Sequence, residues 1–371
     1  MKEFYLNSPN NNLKNNITNT ILLNSDSLSY HKTLHEYFPT PIYSLKNLSK
    51  KIGVKEIYVK DESERFGLNA FKGLGASFAI HKLLMQNPNI STFCTATDGN
   101  HGRAVAWAAA KHNKKSVIFV PKETSKERID AISNHGAEVI QLNMNYEDSC
   151  KHASKTSAKN NWQLVQDTSW ENYEEIPAYI MSGYITHLRE MENSLNNFNI
   201  PNIDIVFLQA GVGSWPASCI WYYINRYNNK RPKLVLVEPE NSSGILQSFM
   251  SNKRITPSRN IDTIMAGLNC GIPSKSGWEI IKNGCDAALT ISDNYAKKAM
   301  KMLFSPIKSD KRIISGESGA AGLAGLIKCL NSKNHLDLKE HIGLDSSSRI
   351  LVFSTEGNTD KDSFNSIINE K

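Results

Sequence analysis

The sequence predicts an α/β protein built on two open, twisted, mostly parallel sheets with flanking helices. Short, nearly continuous apolar runs recur along the chain, as strands buried on both faces require. Helix-like segments lie between them, the alternation that parallel crossover connections produce. Several strand-to-helix junctions are rich in Gly, Asn, Ser and Thr, and such junctions sit where open α/β sheets bind ligands.

The strands are expected at Glu56 to Lys60, Thr92 to Thr97, Ser116 to Val120, Glu138 to Leu142, Asp204 to Gln209, Lys233 to Glu238 and Arg349 to Ser354. Helices are expected at Ala76 to Met85, Gly102 to His112, Ser125 to Gly136, Tyr173 to Met191 and Asn294 to Phe304. Gly136 suits the residue just past a helix end. The first thirty residues, rich in Asn and Ser, read as a loosely ordered arm, and Asn193 to Asn202 as a polar surface connection. No internal repeat is visible.

With 371 residues, 40% of them hydrophobic, the chain can bury a large core and form two domains or one domain with an insert. The net charge is +7, but the basic residues are dispersed and form no run of the kind that binds nucleic acid. No apolar stretch is long enough to span a bilayer, and the N-terminus has no signal-peptide pattern, so a cytoplasmic location is expected. The six cysteines, Cys94, Cys150, Cys219, Cys270, Cys285 and Cys329, form no CxxC pair and have no metal-ligand spacing. No metal site is expected. Free buried thiols are the default, with a Cys270–Cys285 pairing left open.

Four junctions could carry chemistry. The first ends in Phe71-Lys72-Gly73, where a lysine meets a Gly-rich helix start. Apolar neighbours and a helix N-terminus disfavour its ammonium form, so a lowered pKa and a nucleophilic amine are expected. Taken alone, most lysines near helix starts are merely solvated. The second, Thr97-Asp98-Gly99-Asn100-His101-Gly102, exposes backbone N–H groups at a helix start and suits a substrate carboxylate. Asp98 is out of place in an anion cradle unless it does chemistry; otherwise the run is a plain Asp-Gly turn. The third, Gln209-Ala210-Gly211-Val212-Gly213-Ser214, has the composition of a phosphate loop, although tight turns share it and it is no Walker loop. The fourth, Ser354-Thr355-Glu356-Gly357, places hydroxyls at a strand end, which a helix cap would also explain. Together they offer an amine, a carboxylate cradle, a phosphate loop and a hydroxyl, the set a phosphorylated aldehyde cofactor needs when it acts on an amino acid.

These residues carry a family likeness. Phe71-Lys72 through Gly75, Asp98 to Gly102, Gly211 to Ser214 and Pro39-Thr40-Pro41-Ile42 resemble pyridoxal 5'-phosphate (PLP) enzymes of fold type II, the tryptophan-synthase-β-like class. Arg65-Phe66-Gly67-Leu68-Asn69-Ala70-Phe71-Lys72, Asp167-Thr168-Ser169-Trp170-Glu171, Tyr173-Glu174-Glu175-Ile176-Pro177, Met265-Ala266-Gly267-Leu268 and Ser354-Thr355-Glu356-Gly357 narrow it to the diaminopropionate ammonia-lyases. The resemblance spans about Tyr37 to Asp360.

The resemblance implies roles. Lys72 would be the Schiff-base lysine, Asn100 would bond the cofactor's ring oxygen, and the backbone of Gly211, Val212, Gly213 and Ser214 would hold the phosphate. Thr355 would meet the pyridine nitrogen. Asp98 would be an acid–base group opposite Lys72, and Asp167 a second carboxylate suited to a substrate β-ammonium. Thr97, Gly99, Asn100 and His101 would line the substrate side with these two acids. Glu317 would be a buried acid near the ring, with a helix-start carboxylate almost equally good as its reading. The implied activity is PLP-dependent elimination of ammonia from 2,3-diaminopropionate in a homodimer. Serine or threonine dehydration, a β-replacement synthase, or a non-catalytic binding protein of this fold are the alternatives. The implied division is a large PLP-binding domain over 31–87 and 169–371 and a small domain over 88–168. The chain departs from the subfamily at Gly73, where a bulkier aliphatic is common, at Asn172, where Gly is common, and at Trp215-Pro216-Ala217-Ser218, where Trp215 would narrow the pocket.

Overall fold

The computed structural model describes residues 2–97, 99–198, 200, 202–257 and 262–370. The strands run β1 (Phe4–Leu6), β2 (Ile42–Ser44), β3 (Glu56–Asp61), β4 (Thr92–Ala96), β5 (Lys115–Pro121), β6 (Glu138–Leu142), β7 (Gln163–Leu164), β8 (Ile205–Gln209), β9 (Lys233–Pro239), β10 (Ala287–Ile291) and β11 (Arg349–Ser354). They form a seven-stranded sheet in the order β1-β10-β9-β8-β11-β3-β2 and a four-stranded sheet in the order β6-β5-β4-β7. The five inner strands of the large sheet are parallel and only its two edges, β1 and β2, run antiparallel. The small sheet is parallel throughout.

The seven expected strands are all present, and β4 and β8 among them are buried at every residue, as strands covered on both faces are. β1, β2, β7 and β10 had no sequence expectation. The first, second and third of these are only two or three residues long, too short to show a pattern.

The N-terminal arm is not loosely ordered. Phe4, Tyr5 and Leu6 pair with Leu289, Ala288 and Ala287, and Asn7 N–H continues the ladder to Asp286 O at 2.8 Å. Two helices follow, Ile17–Asn24 and Ser27–His31, whose caps are Asn16 and Asp26. Asn residues of the arm serve as a cap and a tether, Asn16 at the first helix and Asn7 on the edge of β10, roles this side chain favours. Asn193 to Asn202 differs too: the helix beginning at Glu175 continues to Asn197, through much of the expected connection. The helix Tyr146–Asn160 escaped notice because its buried side is made of small residues, Ser149, Cys150, Ala153 and Ser157, and carries no apolar stripe.

The Lys72 helix, Lys72–Gln86, begins four residues earlier than expected and crosses the helix Glu175–Asn197 at close range. A Cβ on Gly183 would lie 2.3 Å from Leu74 O, and one on Gly75 would lie 2.5 Å from the Tyr184 ring, so both positions must be glycine. That contact fixes the first turn of the Lys72 helix against the core. Under the same region lies a buried ionic cluster. Arg65 donates to Glu62 Oε2 at 2.8 Å and to Glu190 Oε2 at 2.6 Å, and Lys60 donates to Glu190 Oε2 at 2.9 Å. The six cysteines are buried and outside any disulfide, so Cys270 and Cys285 do not pair.

Candidate active site

A cleft between the two sheets is lined by Phe71, Lys72, Thr97, Gly99, Asn100, His101, Asp167, Gly211 to Ser214, Thr355 and Glu356. It thus gathers every sequence-predicted site residue but one. Asp98 lies outside the described residues.

Lys72 opens its helix at the mouth of the large sheet. Before it, Phe66, Gly67 and Asn69 take left-handed backbone at φ 54°, 69° and 54°. Phe66 is too bulky for that region without external support, and its ring stacks on Trp107 at 4.9 Å. A Cβ on Gly73 would lie 2.8 Å from Phe66 and 2.9 Å from Leu68, so the missing aliphatic is the space these two side chains occupy. Asn172 has φ 65°, in the region Gly and Asn share, which explains its exchange for Gly.

Lys72 Nζ donates to Asp167 Oδ2 at 2.5 Å. This overturns the expectation of a lowered lysine pKa. Burial does pull Lys72 down, but the Asp167 carboxylate beside it outweighs burial and raises it. Burial opposes ionisation of Asp167, but the Lys72 ammonium, by charge and hydrogen bond, holds it below the usual carboxylate range. Asp167 sits just past β7, and its carbonyl accepts the Ser214 hydroxyl at 2.6 Å, which ties the small-sheet segment to the glycine loop.

At the second junction Gly99 has φ 148°, a value only glycine tolerates well, and its N–H donates to Thr97 Oγ1 at 3.0 Å. Asn100 opens the helix Asn100–Lys111, and its amide donates to Glu356 Oε2. Glu356 also accepts Ser318 N–H at 3.1 Å through Oε1. It is buried and lines the cleft, whereas Glu317 does not. Glu317 accepts the Ser363 hydroxyl at 2.5 Å and faces the neighbouring cavity, where burial and Glu356 raise its pKa. Of these two glutamates it is Glu356, one position past Thr355, that joins Asp167 as a buried acid of the cleft, and nothing in the sequence separates it from its run.

The glycine loop follows β8. Gly213, at φ 91°, precedes the helix Ser214–Tyr227, which has no side-chain cap. The N–H groups of Gly211, Val212, Gly213 and Ser214 have no acceptor among the described residues. A Cβ on Gly211 would lie 3.0 Å from Gly267 O. Uncapped N–H groups at a helix start bind anions. Trp215 turns its ring into the core against Phe353 and Phe71, with its indole N–H on His187 Nε2 at 3.1 Å.

At the end of β11, Thr355 Oγ1 accepts from Gln209 Nε2 at 2.9 Å. The same amide nitrogen lies 3.0 and 3.1 Å from Phe353 O and Gly319 O, so its two protons are shared among three acceptors. With its oxygen so engaged, the Thr355 hydroxyl keeps its own proton to donate.

The family model for pyridoxal-phosphate dependent enzymes matches residues 33–351. Diaminopropionate ammonia-lyase of Escherichia coli (strain K12) is 38% identical over 91% of this chain and 89% of its own length. That of Salmonella typhimurium is 38% identical over 92% and 90%. The chain belongs to the pyridoxal-phosphate dependent enzymes, within the diaminopropionate ammonia-lyases. A solved structure of the Escherichia coli enzyme, in complex with an aminoacrylate-PLP azomethine reaction intermediate, superposes with a TM-score of 0.89 at 36% identity over 99% of this chain and 98% of that one.

The cofactor of this family is PLP, and the cleft fits it. Four unpaired N–H groups at a helix start suit the dianionic phosphate. A lysine amine stands in the same cleft, and the Thr355 hydroxyl has a proton to donate to a pyridine nitrogen. Among the described residues no group of side chains could hold a metal ion, and no helix is long and apolar enough to cross a membrane.

Proposed function

We propose that this enzyme eliminates ammonia from 2,3-diaminopropionate, and that water then hydrolyses the released product to pyruvate and a second ammonia. The observation that carries the reading is the Asp167 carboxylate 2.5 Å from the Lys72 amine inside the cleft. A buried carboxylate beside the reacting amine matches a leaving group that arrives as an ammonium. A hydroxyl leaving group has no positive charge for it to hold.

In this reading Gly211, Val212, Gly213 and Ser214 anchor the phosphate, and Lys72 is the covalent attachment point. PLP, when bound, supplies an electron sink that makes the substrate Cα–H acidic. Thr355, its oxygen already occupied by Gln209, would offer the ring nitrogen of the cofactor a neutral hydroxyl. Thr97, Gly99 and Asn100 face the substrate carboxylate at a helix start. Asn100 reaches the ring oxygen by leaving Glu356, and Glu356 retains Ser318 N–H. Lys72 removes the Cα proton on one face. Asp98 carries the acid–base role on the other, so either enantiomer is accepted. Asp167 holds the β-nitrogen as an ammonium until the C–N bond breaks and neutral ammonia leaves with the electron pair.

The large-domain and small-domain division over 31–87 with 169–371 and over 88–168, the homodimer and the cytoplasmic setting belong to the same reading, resting on the family resemblance. The test is a pyruvate and 2-oxobutyrate assay of the holoenzyme with D- and L-2,3-diaminopropionate, serine and threonine side by side. Turnover of diaminopropionate at least tenfold above the hydroxy amino acids supports the reading. Preference for serine or threonine rejects it in favour of a dehydratase.

A further inference from the structure

His101 is the second residue of a helix whose start is rigidly seated: a Cβ on Gly102 would lie 2.3 Å from Thr97 and 2.6 Å from Ile118. The imidazole is 4% exposed. Its Nε2 lies 2.8 Å from Val165 O, and a carbonyl only accepts, so the ring proton is on Nε2. Burial keeps the ring neutral by lowering its pKa, against the pull of Asp167. Nδ1 is therefore a bare acceptor, and it has no hydrogen-bond partner among the described residues. It faces Asp167 Oδ2 at 3.8 Å. Two acceptors that close repel unless a donor group lies against both. In this structure a primary ammonium, that of Lys72, fills the Asp167 side. The pocket edge is thus built for a group with several N–H donors and a positive charge.

We propose that His101 Nδ1 and Asp167 Oδ2 form a two-acceptor site for the substrate's β-ammonium, and that His101 thereby selects a diamino acid over a hydroxy amino acid. The inference rests on the reading of the enzyme as a diaminopropionate lyase and gives His101 a role distinct from the carboxylate cradle of its neighbours. An ammonium can donate to both atoms at once. A hydroxyl has one proton, so it satisfies one acceptor and leaves the other buried and unpaired, which sites of this kind penalise.

Two substitutions separate the ring's two atoms. His101→Gln keeps a donor in reach of Val165 O and loses the δ acceptor. His101→Asn keeps a δ acceptor and loses the tether. In holoenzyme with unchanged cofactor absorbance and melting temperature, His101→Gln is expected to lower kcat/KM for 2,3-diaminopropionate roughly ten- to hundredfold, the span of one hydrogen bond to a charged group. The dissociation constant of D-serine should move less than about threefold, and His101→Asn should retain more of the diaminopropionate activity than His101→Gln. Equal losses in both variants, or a D-serine shift as large as the loss on diaminopropionate, would show a purely structural histidine and overturn the proposal. Nitrogen NMR of histidine-labelled enzyme gives a readout without turnover: an unprotonated Nδ1 and protonated Nε2 are expected, and the opposite tautomer or an imidazolium overturns the proposal. Wild-type enzyme inert towards diaminopropionate sinks the functional reading itself. Wild-type activity with a selectivity untouched in His101→Gln sinks this inference alone.

Discussion

Lys72 Nζ and Asp167 Oδ2 lie 2.5 Å apart, although 95 positions separate them and they follow strands of different sheets. The amine that sequence context marks as easily deprotonated is held as an ammonium by a carboxylate from across the cleft. Asp167→Asn should lower kcat on diaminopropionate by about 10²–10⁴-fold, the range for a group that handles protons at the reacting centre. With the carboxylate gone, burial is the largest influence left on Lys72 and its pKa falls. Because the neutral amine is the nucleophile, PLP uptake by the apo-protein should shift to lower pH in the variant, read by absorbance. An unshifted uptake profile rejects this account of the pair.

Thr355 Oγ1 and Gln209 Nε2 form the second pair worth disturbing, at 2.9 Å. Thr355→Val should weaken PLP binding by about tenfold, the loss of one hydrogen bond of roughly 1.4 kcal/mol. Gln209→Leu should perturb the cofactor spectrum without contact to the ring, because it frees the Thr355 oxygen and leaves two carbonyls unpaired. Equilibrium dialysis with PLP checks the first expectation, and absorbance of the holoenzyme the second. Unaltered spectra in Gln209→Leu would remove Gln209 from the account.

Gly183 lets two helices touch at the level of Lys72. Gly183→Ala brings a methyl group to 2.3 Å from Leu74 O, which forces the Lys72 helix outward. Overpacking of this kind costs about 1–3 kcal/mol. Activity should fall along with stability because Lys72 moves. A urea midpoint within error of wild type would refute the close crossing.

Arg65 is held by Glu62 and Glu190 in the core. Arg65→Met leaves those carboxylates with Lys60 as their remaining cationic partner, and breaking a buried ionic group in this way costs about 3–5 kcal/mol. Thermal denaturation should show a loss of that order. A loss below about 1 kcal/mol would mean the cluster is solvated, as exposed ion pairs are.

Acid sensitivity should come from two buried histidines. Burial lowers His31 to about 3 and His187 to about 4. The folded state binds fewer protons than the unfolded state, so each contributes stability that is present above about pH 6.5 and lost as pH falls through the folded values. Each tenfold difference in proton affinity between the folded and unfolded chain is worth about 1.4 kcal/mol, so the combined loss is on the order of 8 kcal/mol. His187→Phe should flatten the fall in urea midpoint between pH 6.5 and pH 4. A slope identical to wild type would exclude His187 as a contributor.

Much of the fold could be read without coordinates. A strand covered on both faces must be apolar throughout, and Ile57, Val59, Phe93, Ile118, Phe207 and Leu351 carry that requirement in the chain itself. Gly99 and Gly213 were equally legible, because their positive φ angles demand glycine beside a helix start. Local pattern reports backbone conformation and burial. It does not report which distant group a side chain meets. The raised pKa of Lys72, the choice of Glu356 over Glu317 as the acid of the cleft, the bare Nδ1 of His101 and the anchoring of the Asn-rich arm on β10 were all decided by tertiary approach. Each depends on a partner placed by sheet order, and electrostatic and hydrogen-bond energies are set by distances of a few ångströms that no spacing along the chain contains.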